Sequence, residues 1–254
     1  MLLAKEGAIV CVADVSEACI SECRDNCDPE LVDRVIFQQV DVADRNAVEQ
    51  WIDGVAERFM RVDVLVHCAV DASWNPVEEQ SVDSIVKTMR VGFEGLVYCT
   101  KCVLPKMRAN GYGRIIYLSS VASTMHLFSG YASYAALKSA TDAWAAVMRL
   151  DLRDSPIQVA CVRPGVVKDT RLFRRSVDRV ALPRMFDVLP SATPDQLAGV
   201  VHKAIQRCNR DYVYPRRYRI FHWIYQIAPA PSRWLCRFGT SQRIDIITRD
   251  DIGS

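Results

Sequence analysis

The stretch Gly113-Arg-Ile-Ile-Tyr-Leu-Ser-Ser120 decides the fold, because an apolar run ends there in two serines. Its centre, residues 114–118, predicts a short buried strand. Apolar residues at helical spacing follow over residues 131–152, and a second apolar run covers residues 158–163. Two buried strands joined by a long helix form a parallel pair, since parallel strands need a crossover of this length. The sequence therefore predicts an α/β protein.

The same alternation extends in both directions from this unit. Three further strands are predicted over residues 8–14, 34–39 and 62–67. Helices are predicted over residues 16–26, 44–59, 82–110 and 193–208, three of them opened by a capping Ser, Asp or Thr. Such an alternation indicates a parallel sheet covered on both faces. We expect one Rossmann-like, doubly wound domain over residues 1–214, followed by a C-terminal extension over residues 215–254.

The composition is that of a soluble globular protein. Half of the 254 residues are hydrophobic and 24% are charged, unlike a disordered chain. The net charge of +2 gives no reason to expect a nucleic-acid partner. We expect neither a membrane span, which needs roughly 18–20 apolar residues, nor a signal peptide. Ten cysteines spread through periodic segments indicate reduced thiols and a cytoplasmic location.

The pair Tyr134-Ala-Ala-Leu-Lys138 is the strongest candidate for chemistry. A spacing of four places both side chains on one helical face. A free tyrosine has a pKa of about 10, and a nearby ammonium favours its phenolate, so the pair can exchange a proton with an alcohol or a ketone. Spacing alone would equally fit a surface helix pair. Its context is more specific, because Ser120 ends the preceding strand and Pro164-Gly165 ends the next one, where ligands of open α/β sheets bind.

Taken in order along the chain, these motifs resemble the short-chain dehydrogenase/reductase family. Gly7 to Asp14 is similar to the second strand of that family with its ribose-binding acid, and Val40-Asp41-Val42 is similar to the aspartate turn beside the adenine. The strand ending at Ser120, the Tyr134–Lys138 pair and Pro164-Gly165 follow in the family's order. The resemblance runs from about residue 4 to residue 213.

The resemblance implies a role for each matching position. Tyr134 would be the general acid/base, Lys138 would bind the nicotinamide ribose, and Ser120 would bind the substrate oxygen. Asp14 would accept hydrogen bonds from the adenosine ribose, which favours NAD over NADP because a carboxylate repels a 2′-phosphate. The remaining cofactor-binding residues implied by the resemblance are Asp41, Val42, Cys68, Ala69, Pro164, Gly165, Val167 and Thr170.

The chain also departs from the family pattern. The glycine-rich turn T-G-x-x-x-G-x-G is not found in it, and Met1-Leu2-Leu3-Ala4 resembles the end of the helix that follows that turn. A sheet without the first strand would be left with two unpaired strand edges in its middle. The family's Asn-Asn-Ala-Gly is His67-Cys68-Ala69-Val70 here, and Gly92 aligns with an asparagine that anchors a proton-relay water.

Two functions are therefore compatible with the sequence. The first is hydride transfer between NAD(P) and a secondary alcohol or carbonyl of a mostly apolar small molecule, with residues 172–189 covering the substrate. The second is a catalytically impaired relative that serves as a binding or scaffolding subunit. The two long helices resemble the family's dimer-forming pair, so we expect a homodimer or tetramer, with Trp144 and Met148 as interface candidates and core burial as the alternative.

The cysteines and the C-terminal segment each allow two interpretations. Cys19, Cys23 and Cys27 form a helical stripe and Cys99 and Cys102 a C-x-x-C; we favour small buried residues over a metal or redox site, and predict no metal. Residues 216–238 interleave arginines with aromatic residues. We favour a segment that packs on the domain over a peripheral membrane contact, because Pro229 and Pro231 interrupt any single amphipathic helix.

Overall fold

The computed structural model describes residues 1–127, 129–177 and 191–237, and within these ranges it contains six strands. Five of them lie where apolar runs predicted them. The sixth, β6, was not predicted, because its polar and aromatic residues form no apolar run. The strands are β1 (Val10–Asp14), β2 (Val35–Gln39), β3 (Val64–His67), β4 (Gly113–Leu118), β5 (Ile157–Pro164) and β6 (Asp211–Tyr214).

Ten α-helices connect and flank these strands in the described residues. They are α1 (Leu2–Lys5), α2 (Glu17–Asp25), α3 (Arg45–Phe59), α4 (Val82–Met89), α5 (Gly95–Ala109), α6 (Ala132–Asp151), α7 (Arg171–Val177), α8 (Pro194–Gln206), α9 (Tyr218–Ile227) and α10 (Pro229–Arg237). The predicted caps are confirmed: the side chains of Ser16, Asp44 and Thr193 accept backbone N–H bonds at the starts of α2, α3 and α8. Each bond satisfies a donor that a helix start leaves without a partner.

Every strand pairing is parallel, and the strands form two sheets of order β2-β1 and β3-β4-β5-β6. The Rossmann-like α/β prediction is thus confirmed, and so is the expected interruption of the sheet. The edges of β1 and β3 each lack a strand neighbour among the described residues. A parallel sheet interrupted in its middle leaves two rows of backbone groups without ladder partners.

The core lies on both faces of β4 and β5. Ile115 and Val159 point into a cluster built with α3, α5 and α6. Ile116 and Ala160, each one residue further, point to the opposite face, where they meet α8. Alternation along a strand exposes its two sides to different layers, so these strands are buried on both sides, as a doubly wound fold requires.

The single helix predicted over residues 82–110 is wrong, because a π-helical turn at Arg90–Glu94 separates α4 from α5. Close packing accompanies this turn. A Cβ at Gly92 would stand 2.3 Å from Cδ2 of Leu137 on α6, and a Cβ at Gly95 would stand 2.9 Å from the carbonyl oxygen of Val42. Apolar periodicity cannot reveal such a turn, since it leaves the apolar stripe nearly continuous.

Two further expectations are corrected by burial. Met148 is buried in the core rather than at an interface. Trp144 is only partly buried: it packs against the core and donates its indole N–H to the Tyr117 hydroxyl at 3.2 Å, so its place at an interface stays a prediction. The cysteine stripe is not uniformly buried, because Cys23 is exposed and Cys27 lies beyond the end of α2. None of the described helices combines the length and apolarity that crossing a bilayer requires.

Candidate active site

A cavity of about 350 Å³ opens where the carboxyl ends of β4 and β5 meet the start of α6. Ser120, Tyr134 and Lys138 reach it from three positions that are distant in sequence. Most of the remaining wall is apolar or aromatic, and includes Val70, Trp74, Met125, Leu127, Tyr131, Leu172, Phe173 and Tyr218. The predicted cover over residues 172–189 thus contributes its first residues to the wall, while residues 178–189 lie outside the described residues.

Ser120 is fixed by the turn that follows β4. It opens a 3-10 turn over Val121–Ser123, and its Oγ accepts the backbone N–H of Ala122 at 3.1 Å. The same hydroxyl lies 3.5 Å from the carbonyl oxygen of Pro164 at the end of β5. Ser120 is only 7% exposed, so its hydroxyl serves the cavity and not bulk solvent.

Tyr134 and Lys138 lie one turn apart on α6, and both are buried. The Tyr134 ring packs against Trp74, with 5.0 Å between the ring centroids. Lys138 Nζ donates to the carbonyl oxygen of Leu118 at 2.7 Å and stands 5.5 Å from the centroid of the Tyr134 ring. The carbonyl at the end of β4 therefore holds the ammonium between the strand and the tyrosine.

The protonation of this pair differs from the sequence prediction. Burial raises the pKa of Tyr134, and the neighbouring Ser120 hydroxyl only opposes that rise. Burial also lowers the pKa of Lys138 to about 8, with Cys161, Cys68 and Asp142 opposing the fall. The net shift of the Tyr134 pKa is therefore upward, opposite in sign to the predicted lowering, because desolvation disfavours the charged form of both groups.

A buried polar cluster around Asp142, which the sequence patterns did not identify, lies next to the cavity and contacts the elements that position Ser120 and Lys138. Asp142 lies one turn beyond Lys138 and accepts hydrogen bonds from Ser123 Oγ at 2.5 Å, Arg163 Nε at 2.7 Å and Cys161 Sγ at 3.1 Å. Ser123 belongs to the turn that positions Ser120. The only signal in the sequence was the spacing of four from Lys138, which by itself fits many helical residues.

Residues 1–180 match the family model described as short chain dehydrogenase. The chain belongs to this family. It is 26% identical over 199 residues to the Drosophila melanogaster protein named dehydrogenase/reductase SDR family protein 7-like, covering 77% of this chain and 61% of that relative. It is 30% identical over 175 residues to the Escherichia coli NADP-dependent 3-hydroxy acid dehydrogenase YdfG, covering 68% of this chain and 70% of that relative.

Solved structures share the short-chain dehydrogenase fold at low sequence identity. An Escherichia coli serine dehydrogenase superposes with a TM-score of 0.68 and 24% identity, covering 84% of this chain and 88% of the other. An NAD⁺-bound xylitol dehydrogenase superposes with a TM-score of 0.72 and 20% identity, covering 84% of this chain and 90% of the other. At this identity the likeness establishes the fold alone.

The residues predicted to bind the cofactor divide into two groups. Those that line the cavity with Ser120, Tyr134 and Lys138 are Cys68, Pro164, Gly165, Val167 and Thr170. Those that lie outside the cavity lining are Asp14, Asp41, Val42 and Ala69. Asp41 lines a separate cleft beside α3 and α4, while Val42 packs against the main core.

Asp14 ends β1 and is exposed. Its Oδ1 accepts the backbone N–H of Ser16 at 2.8 Å, and this bond holds the carboxylate at the turn. Its other oxygen accepts no hydrogen bond from the residues that the structure describes, so it can accept one from a ligand hydroxyl.

The donor set of the cavity fits the nicotinamide half of a dinucleotide. Ser120 and Tyr134 each contribute a hydroxyl, and Lys138 contributes an ammonium. The ammonium has three N–H donors, one of which binds the carbonyl oxygen of Leu118. Asp14 offers a carboxylate for a ribose hydroxyl. The sequence contains no glycine-rich turn of the family type for the pyrophosphate. The residues of this chain thus suit the nicotinamide riboside and the adenosine of a dinucleotide, but do not include a glycine-rich turn for the pyrophosphate between them.

Proposed function

We propose that this chain carries the hydride-transfer site of an NAD(P)-dependent dehydrogenase/reductase that acts on a secondary alcohol or carbonyl of a mostly apolar small molecule. One observation supports this proposal above all: Ser120, Tyr134 and Lys138 converge on one cavity whose remaining wall is largely apolar. A surface helix pair, the alternative for the Tyr134–Lys138 spacing, would leave both side chains in solvent, whereas both are buried.

When bound, the nicotinamide would supply or accept the hydride. Tyr134 would exchange the proton with the substrate oxygen, and Ser120 would hydrogen-bond the same oxygen. The raised pKa keeps the Tyr134 hydroxyl protonated at neutral pH, which is the state that carbonyl reduction needs. The apolar wall excludes water, so the hydrogen bonds to the substrate oxygen act in a medium of low dielectric constant.

Lys138 would act on both the cofactor and Tyr134. Its ammonium is held by Leu118 and retains two N–H donors, which suit the vicinal hydroxyls of a ribose. With a pKa of about 8, Lys138 remains mostly charged at neutral pH. A positive charge beside the tyrosine stabilises the phenolate that forms when Tyr134 gives up its proton.

NAD is the cofactor that Asp14 favours. A carboxylate at the end of β1 accepts ribose hydroxyls and repels a 2′-phosphate. Titration calorimetry of the chain with NAD and with NADP tests this preference. Tighter binding of NADP would contradict it.

The substrate class follows from the cavity wall. The test is carbonyl-dependent oxidation of NADH with matched ketones of similar size. We expect turnover of ketones with aliphatic or aromatic substituents, and much slower turnover of 2-oxo acids, since the cavity would have to desolvate their carboxylate. Equal rates for the two groups would contradict the apolar assignment.

We also propose a cytoplasmic homo-oligomer with an interface on α6. Val147 and Leu150 on this helix are 56% and 62% exposed, unlike the buried core residue Met148. The described cysteines are free thiols, which suits a reducing compartment. Sedimentation velocity of a Leu150→Arg variant tests the interface. An unchanged oligomer would contradict it.

A further inference from the structure

The outward face of α9 is apolar and exposed. Ile220, Trp223 and Ile227 are 62%, 66% and 65% exposed, and Ile224 adjoins them at 45%. At 3.6 residues per turn, these positions share one side of the helix. On the following helix, Trp234 is 58% exposed.

The inner face of α9 is apolar as well. Tyr218 and Tyr225 are buried against Met125, with Val121 and Val213 beside them. A helix that is apolar on both sides is normally covered on both sides. A contiguous exposed apolar surface that carries tryptophans marks a contact with a partner or a membrane.

The charge around this face has one sign. Residues 215–237 contain five arginines and no aspartate or glutamate. Beside α9 lies a cleft of about 730 Å³, lined by the cations Lys203, Arg207, Arg210, Arg216 and Arg219. None of these five forms an ion pair with a residue in the described part of the chain.

The acid of the cleft does not neutralise these cations. Asp211 lines the cleft, but its carboxylate pairs with Arg149 and, at 2.9 Å, with Arg163. These contacts lower the pKa of Asp211, although burial opposes them. The cleft therefore presents a positive surface directly beside the apolar face.

We propose that α9 and α10 bind the surface of an anionic bilayer. Ile220, Trp223 and Ile227 enter the boundary between headgroups and acyl chains, while Arg216 and Arg219 contact lipid phosphates. Basic residues that flank an apolar face containing tryptophan are the features of an interfacial helix. At ten residues, α9 is too short to span a bilayer, which takes about 20.

A second copy of this chain fits the same surface less well. A two-fold contact places identical patches against each other. Arg216, Arg217 and Arg219 of one copy would then face those of the other, and residues 215–237 contain no acid to separate them. An anionic lipid surface neutralises these charges instead.

Membrane binding would also position the candidate active site. Tyr218, on the inner face of α9, lines the cavity and stands so close to Gly165 that a Cβ there would lie 2.4 Å from its ring. One helix thus separates the bound lipid from the cavity. Delivery of an apolar substrate from the bilayer rests on the proposed function, whereas the lipid contact itself does not.

Vesicle sedimentation with the full chain tests the proposal. We expect binding to vesicles of phosphatidylcholine with phosphatidylserine, weak binding to phosphatidylcholine alone, and loss of binding in high salt. The double variant Trp223→Ser/Ile227→Ser should bind more than roughly tenfold more weakly. The matched control is Val82→Ser, which alters a side chain 73% exposed on a distant helix and should leave binding unchanged.

A second pair of variants tests the charge. Arg216→Gln/Arg219→Gln should weaken binding to anionic vesicles by roughly thirtyfold, at about 1 kcal/mol for each charge. Arg153→Gln, which removes an exposed arginine elsewhere, should not. Circular dichroism of each variant verifies folding. The proposal would be overturned if the wild-type protein did not bind anionic vesicles. It would also be overturned if the protein bound no vesicles and instead formed a dimer that Trp223→Ser/Ile227→Ser converts to monomers.

The outcome is separable from that of the proposed enzyme activity. A chain that binds vesicles but oxidises no NADH would refute the activity and leave the lipid surface intact. A chain that reduces ketones but does not sediment with vesicles would refute the lipid contact and leave the proposed activity intact.

Discussion

His67 illustrates how burial controls protonation at the edge of the cavity. It ends β3, is 6% exposed, and its Nε2 has no hydrogen-bond partner in the described structure. Burial, with a smaller contribution from the Lys138 charge, lowers its pKa to about 4. The neutral imidazole is therefore strongly preferred in the folded chain.

We predict that His67 destabilises the fold in mild acid. Between pH 6.5 and about 4 the unfolded chain binds a proton that the folded chain does not, so stability falls as the pH falls. The loss from pH 7 to pH 5 should be about 2 kcal/mol. Urea unfolding at both pH values measures it. His67→Asn should reduce the difference by that amount, and an equal pH dependence in both proteins would refute the assignment.

At the site itself, the residue types were predictable and their environment was not. Ser120, Tyr134 and Lys138 stood out because their motifs occur in a specific order along the chain. Asp142 and its partners did not, since this buried cluster depends on side chains from a helix, a strand and a turn that only folding brings together. The pKa of Tyr134 was predicted with the wrong sign, because sequence spacing reports the neighbouring charge but not the desolvation.

Among the elements, strands and helix starts were the predictable features. Apolar runs located β1 to β5, and capping residues located α2, α3 and α8. The π-helical turn before α5 and the strand β6 depend on tertiary packing. Gly92 and Gly95 mark that turn, because each faces a neighbour too close for a side chain.

We predict opposite effects for two glycine substitutions in neighbouring helices. Gly95→Ala would push a Cβ against the backbone of Val42, and we expect a loss of about 1–3 kcal/mol in the free energy of unfolding. Gly54→Ala in α3 meets nothing within 4 Å, and should gain about 1 kcal/mol from helix propensity. Chemical denaturation measures both. A neutral Gly95→Ala would show that α5 does not pack as described.

At the scale of the whole molecule, the interrupted sheet divides the core. Ala4, Cys27, Leu31 and Val35 form a small cluster around β1 and β2 that is separate from the main core. Most of β1 is only half-buried, whereas Ile115, Ile116 and Val159 of the larger sheet are fully buried. The smaller sheet, β1 and β2, therefore buries less apolar surface against the rest of the protein than the larger sheet does.

We predict that this division is visible in hydrogen exchange. Segments that bury little apolar surface open at lower free energy than the core. Peptides containing β1 and β2 should exchange at least roughly tenfold faster than peptides containing β4 and β5. Mass spectrometry under native conditions measures this ratio. Equal protection of the two sheets would mean that the smaller one opens only with the whole fold.

The measurement that tests the central claim most directly compares wild-type protein with Tyr134→Phe in ketone-dependent oxidation of NADH. This substitution removes one hydroxyl from the cavity and keeps the ring that packs on Trp74. We predict that the rate falls by about 10²–10⁴-fold, while cofactor affinity, followed by NADH fluorescence, stays unchanged. Equal rates for the two proteins would contradict the assignment of Tyr134 as the group that exchanges the proton.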